Sequence, residues 1–141
     1  MPRADYYVLP HSDYDSRELF VCRLCDKLLR QNLRVHIHLR SETDLKQLDS
    51  RLWSFRPDAF LPHTILGQEI KAPITLSTDS QAQIDADLLI NLAVEAPENA
   101  RQVERIAEIV IQDPEILTAA RESFKQRRDA GWEVHNHKLS S

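Results

Sequence analysis

Tyr6-Tyr7-Val8-Leu9-Pro10, then Leu19-Phe20-Val21-Cys22-Arg23-Leu24-Cys25-Asp26-Lys27-Leu28-Leu29, then Arg34-Val35-His36-Ile37-His38-Leu39: these runs decide the fold. The first is rich in strand formers and stops at a proline. The second places apolar residues on a wide face at helical spacing, with Ser16 as its predicted N-cap and an end near Asn32. The third alternates Val35, Ile37 and Leu39 against His36 and His38, the period of a strand. Two strands joined by a helix of that length read as a βαβ crossover, which makes the strands parallel.

Outward from this unit the alternation continues. Ser41 opens a second helix carrying Leu45, Leu48 and Leu52, with Trp53 next. Residues 54–73, with Pro57, Pro62, Gly67 and Pro73, read as a long irregular connection, a length that compact domains usually reserve for function. Short strands are expected at 74–77 and 87–92, a turn or brief helix at 97–100, and a further strand at 104–111, where the spacing of Ile106, Ile109, Val110 and Ile111 suits a helix nearly as well. Asp113-Pro114 is an N-cap followed by proline at the first helical position, and Gly131 suits the residue just past a helix end, so the last helix is expected over 114–130. The predicted fold is α/β: a three-layer sandwich with a mostly parallel sheet, helices on both faces and a Rossmann-like topology without a nucleotide-binding loop. A single domain is expected over 1–132, with a polar, flexible tail at 133–141.

Composition narrows the function. The 141 residues are 42% apolar and carry 22 acidic against 18 basic side chains, for a net charge of −4. That balance supports collapse and argues against a dedicated nucleic-acid binder, which needs a basic footprint. Gly67 and Gly131 are the only glycines. Phosphate-cradling loops need several, because the backbone must approach the phosphate where a Cβ would clash. No nucleotide, other cofactor or metal is expected. Met1-Pro2-Arg3-Ala4-Asp5 has no apolar signal region, and no apolar run approaches the roughly 20 residues of a membrane span. A soluble cytoplasmic protein is the expectation.

The last helix holds the strongest candidate site. At about 100° per residue, Leu117, Arg121, Phe124, Lys125 and Arg128 fall on one side, opposite Ile116, Ala119, Ala120, Ser123 and Ala130. If the small residues sit against the sheet, Leu117 and Phe124 face outward among three cations. Such a surface suits a peptide with an aromatic side chain and carboxylates; the plainer reading is a solvated helix face. Other constellations are weaker. His36/His38 and His135/His137 have chelating spacing without a third ligand. Cys22-Arg23-Leu24-Cys25 has redox spacing, but in mid-helix on an apolar face, where buried inert thiols are expected. Asp79, Asp85, Asp87 and Glu95 are carboxylates near strand ends with no nucleophile and base beside them. A metal-dependent hydrolase or nuclease using Asp85, Asp87 or His63 is therefore a secondary reading. A direct single-stranded-DNA binder using the Arg121–Arg128 face is another.

Residues 48–63, dense in aromatics and prolines, carry a resemblance. Leu48-Asp49-x-x-Leu52-Trp53, Pro57, Phe60, Pro62-His63, Gly67 and Ala72-Pro73 resemble the chi subunit family of bacterial DNA polymerase III. The likeness extends to Tyr6-Tyr7-Val8-Leu9, to the helix through Cys22, and to Ala120-Arg121-Glu122-x-Phe124-Lys125, Arg128 and Ala130-Gly131-Trp132. It implies a non-enzymatic α/β adaptor of the replisome. Such an adaptor would hold the acidic, Phe-ending C-terminal tail of single-stranded-DNA-binding protein and pair with the psi subunit of the clamp loader complex. By the same resemblance the tail site would use Val110, Arg121, Phe124, Lys125 and Arg128. The psi surface would use Trp53, Phe60, Pro62 and His63.

Overall fold

The computed structural model describes residues 2–55, 61–68 and 71–140. Strand β1 (Arg3–Val8) leads into helix α1 (Tyr14–Arg30), β2 (Val35–His38) and α2 (Glu42–Ser54). There follow β3 (His63–Ile65), β4 (Ile74–Ser77), β5 (Leu88–Asn91), a 3-10 turn (Glu98–Gln102), β6 (Arg105–Val110), α3 (Pro114–Asp129) and β7 (Glu133–Lys138). The strands form one seven-stranded sheet in the order β3-β4-β2-β5-β6-β1-β7, and every ladder is parallel. The α/β architecture expected from the alternation of strands and helices is therefore present, but β1 and β2 are parallel without being a pair, because β6 and β5 lie between them.

The two faces separate along β1. Tyr6 meets Phe124 of α3 edge-on at 5.1 Å between ring centres. Its neighbour Tyr7 meets Phe20 of α1 at 5.3 Å. Successive strand side chains point to opposite faces, so α1 and α3 lie on opposite sides of the sheet. Helix α2 joins the α1 side, where Arg51 bonds Glu18 at 3.2 Å. The central strands β2 and β5 are buried throughout, which is why Leu88–Ile90 is a continuous apolar run; in β2 the burial extends to His36 and His38.

Three local expectations are corrected. Helix α1 is capped by Asp13, not Ser16: the Asp13 carboxylate accepts from the Ser16 N–H at 2.8 Å and from its hydroxyl at 3.0 Å. A carboxylate ahead of the first turn takes two donors at once, so the helix starts earlier. The connection at 54–73 contains a short strand, β3, paired with β4 from His63↔Ile74 to Ile65↔Leu76. Residues 133–138 are not a tail but the edge strand β7, in register with β1 from Arg3↔Glu133 to Val8↔Lys138. Their polar composition hid the strand: an edge strand buries little, so the alternation that marks a half-buried strand is weak.

Candidate functional site

Helix α3 starts at Asp113, whose carboxylate accepts from the N–H groups of Glu115 and Ile116 at 3.0 and 3.2 Å. It ends at Gly131, whose φ of +89° reverses the chain into β7; that left-handed geometry is one glycine adopts freely. Ile116 is the one fully buried side chain of the helix among those described. The remaining anchorage is polar. Arg127 donates through Nη1 to Glu108 of β6 at 2.9 Å and to the Tyr6 hydroxyl at 2.8 Å. Tyr6 lies 2.8 Å from the Ser123 hydroxyl, which donates to the Ala120 carbonyl at 3.1 Å. Since Ser123 spends its hydrogen on that carbonyl, the Tyr6 hydroxyl is the donor between them. Asn91 of β5 donates to the other Glu108 oxygen at 2.8 Å. Four elements thus share one hydrogen-bond network under the helix, in which Arg127 donates both to Glu108 and, through Tyr6, toward Ser123. Burial pushes the Tyr6 phenol above its usual range, although Ser123 and Arg127 pull the other way.

This seat rotates α3 relative to the sequence expectation. Arg127, one position from the exposed stripe, is turned toward the sheet, its side chain only 12% exposed. Leu117 and Phe124 are half-buried and pack against the core rather than standing wholly outside. The small-residue flank does not close on the sheet: Ala119, Ala120 and Ser123 border a polar cavity of about 410 Å³ with Arg17, Glu108 and Arg127. Arg17 is buried there, donating to the carbonyls of Ile109 and Leu92 at 3.0 and 3.1 Å. Burial pulls its guanidinium down to about 10, still protonated at neutral pH.

On the other flank of α3 runs an open groove of about 500 Å³. All five residues expected at the tail site line it: Val110 at the end of β6, and Arg121, Phe124, Lys125 and Arg128 along the helix. Arg121, Lys125 and Arg128 are exposed and share the helix wall. Val8, Val110, Leu117 and Phe124 supply the apolar lining, while Gln112, Asn136 and Lys138 complete it from β6's end and β7. No carboxylate lines this groove among the described residues. Sequence reasoning missed Asn136 and Lys138, because nothing local shows that β7 lies beside β1.

The second surface lies at the far side of the molecule. Trp53 of α2 is 57% exposed, and Pro62 is half-buried. Phe60 lies outside the described residues. His63 is buried: its ring meets Trp53 edge-on at 4.9 Å, Nδ1 faces the Leu61 carbonyl at 2.6 Å and Nε2 faces Asp49 at 2.9 Å. With its side chain covered, His63 braces Trp53 rather than offering a contact of its own.

The carboxylate candidates do not assemble. Asp85 and Asp87 precede β5, at its amino end, and both pair with Arg34, at 2.8 and 3.6 Å; ligand crevices of α/β sheets lie at the carboxyl ends. Among the described residues no three His, Cys, Asp or Glu side chains come together in a group that could hold a metal ion. Cys22 and Cys25 are both buried thiols; burial pushes Cys22 up to about 12 and Cys25 higher still. No helix among the described residues is long and apolar enough to cross a membrane.

Comparison with known proteins agrees with the geometry. The family model described as DNA polymerase III chi subunit, HolC, matches residues 1–135. A Pseudomonas aeruginosa protein named DNA polymerase III subunit chi is 40% identical over 139 residues, covering 99% of this chain and 98% of that one. A Haemophilus influenzae protein of the same name is 32% identical over 134 residues, covering 93% of each. The Escherichia coli protein of that name is 25% identical over 142 residues, covering 96% of this chain and 97% of its own length. With the fold and the matched length in agreement, this chain belongs to the DNA polymerase III chi subunit family.

Proposed function

We propose that this chain is a non-catalytic replisome adaptor, working in the cytoplasm, whose chemistry is recognition. The groove beside α3 takes the acidic, Phe-ending C-terminal tail of single-stranded-DNA-binding protein. Arg121, Lys125 and Arg128 attract the carboxylates, and Phe124 with Val110 seats the terminal ring. The surface around Trp53, Phe60 and Pro62, braced by His63, pairs with the psi subunit and so links the tail to the clamp loader.

The observation that carries this reading is the charge of the groove. In a protein of net charge −4, cations and apolar side chains line it and, among the described residues, no carboxylate does. Charge-assisted hydrogen bonds at an apolar floor favour an anionic, aromatic chain end over either feature alone. A set of binding measurements tests both surfaces. In calorimetry with a peptide of the tail, Arg121→Ala should weaken binding by about 1–3 kcal/mol and leave psi capture intact. Trp53→Ala should abolish psi capture and leave peptide affinity unchanged. Full peptide affinity in the Arg121 variant rejects the tail site, and undiminished psi capture by the Trp53 variant rejects the second surface.

A further inference from the structure

We propose that β7 is the second wall of the groove and that Lys138, with Asn136 beside it, is a specificity-determining contact for the acidic residues preceding the peptide's terminal ring. The inference rests on the groove being an acidic-tail site and adds to it a wall that the helix does not provide.

Register places these side chains. Tyr6 faces α3 through its contact with Phe124, and it pairs with Asn136 as Val8 pairs with Lys138. Partners in a parallel ladder point to the same face, so Asn136 and Lys138 stand on the α3 side of the sheet. Both line the groove, opposite the helix wall. The strand is not a loose end there: just beyond Lys138 the Leu139 N–H donates to the Val8 carbonyl at 2.9 Å. Lys138 is thus presented on a paired strand beside the apolar floor made by Val8 and Val110.

An extended peptide turns successive side chains to opposite sides. Lying in this groove, it sends alternate carboxylates toward α3 and the others toward β7. Arg121, Lys125 and Arg128 serve one side only. Without a cation on the strand wall, the second set of carboxylates would face neutral surface, and Lys138 supplies that charge. The Asn136 amide can donate to the peptide's carbonyl groups whatever its sequence.

Calorimetry on the full chain tests this with two peptides: the acidic tail, and the same peptide with its acidic side chains replaced by their amides while the terminal phenylalanine is kept. Lys138→Gln should weaken the acidic peptide about two- to fivefold, Lys138→Glu more, and both should flatten the salt dependence. Neither should change affinity for the amidated peptide. If Lys138→Gln leaves acidic-peptide affinity unchanged while Arg121→Ala reduces it, β7 is not a wall, although the tail site stands. If neither variant alters it, the tail site fails and the inference fails with it. Equal weakening of both peptides by Lys138→Gln overturns the charge role.

Discussion

Arg127 and Arg128 are adjacent in sequence and opposite in role. A step of about 100° around the helix separates them, and that turn takes one guanidinium to the solvent-facing groove and the other under the helix. Arg128 remains exposed, paired with Asp129 at 3.3 Å. Arg127 pairs with Glu108 at 2.9 Å, with side-chain exposures of 12% and 10%. Removing one member of such a pair leaves an uncompensated buried charge, whereas replacing both with apolar residues of similar volume is far less costly. Glu108→Ala should therefore destabilise the protein by about 3–5 kcal/mol in urea denaturation, and the double variant Glu108→Leu/Arg127→Met should recover much of that loss. A double variant no more stable than the single one would show that the network, rather than the buried charge, sets the cost. Because Arg127 also bonds Tyr6, whose ring supports Phe124, the same pair holds the floor of the groove in place.

At the scale of elements, β7 differs most from the sequence expectation and has the largest structural consequence. It covers the edge of β1 and brings His137 against buried Asp5 at 2.9 Å and over the Tyr7 ring at 4.7 Å. Burial pushes the Asp5 carboxyl up, but hydrogen bonds from Arg3 and His137 outweigh that and hold it below the usual carboxylate range. Deleting residues 133–141 strips away one of those partners and exposes the β1 ladder. The truncated chain should lose about 1–6 kcal/mol, six cross-strand positions at roughly 0.2–1 kcal/mol each, read from its urea midpoint. A true tail would leave the midpoint unchanged. Helix α3 is the opposite case: its cap, its first-turn proline and its terminal glycine are all local signals, and its observed span, Pro114–Asp129, closely follows the predicted one.

At the scale of the whole molecule, stability depends on pH through a buried histidine. His36 of β2 is fully buried, Nδ1 lies 2.6 Å from the Thr75 hydroxyl and Nε2 has no partner among the described residues. Burial, with the neighbouring His38, pulls its imidazole down to about 4; burial lowers His38 as well. In the unfolded chain an imidazole takes up a proton near pH 6.5. Between that pH and about 4 the unfolded state binds a proton that the folded state does not, so acid favours unfolding across this window. For His36 alone the loss is on the order of 3 kcal/mol, and stability above pH 7 is unaffected by it. Denaturation at pH 7 and pH 4.5 should show the drop, and His36→Gln should reduce it; an undiminished drop in the variant would assign the acid sensitivity to other groups.

What the sequence determined by itself is what local periodicity carries. The period-2 and period-3.6 runs identify β1, α1 and β2, the parallel sense of the two strands, and the cationic stripe Arg121, Lys125 and Arg128 of α3, since each is set by the spacing of residues near one another in the chain. The groove's helix-borne residues were legible for that reason, and the resemblance supplied Val110. The remainder depends on contacts between distant segments. Placing β1 between β6 and β7 joins segments more than a hundred residues apart, and the hydrogen bonds that do so are made by backbone groups that every residue carries. Polar Glu133–Lys138 therefore left no mark of its pairing, Arg127 none of its burial, and Lys138 none of its place on the far wall. Those facts follow from which strands become neighbours, a choice made by packing the two faces of one sheet.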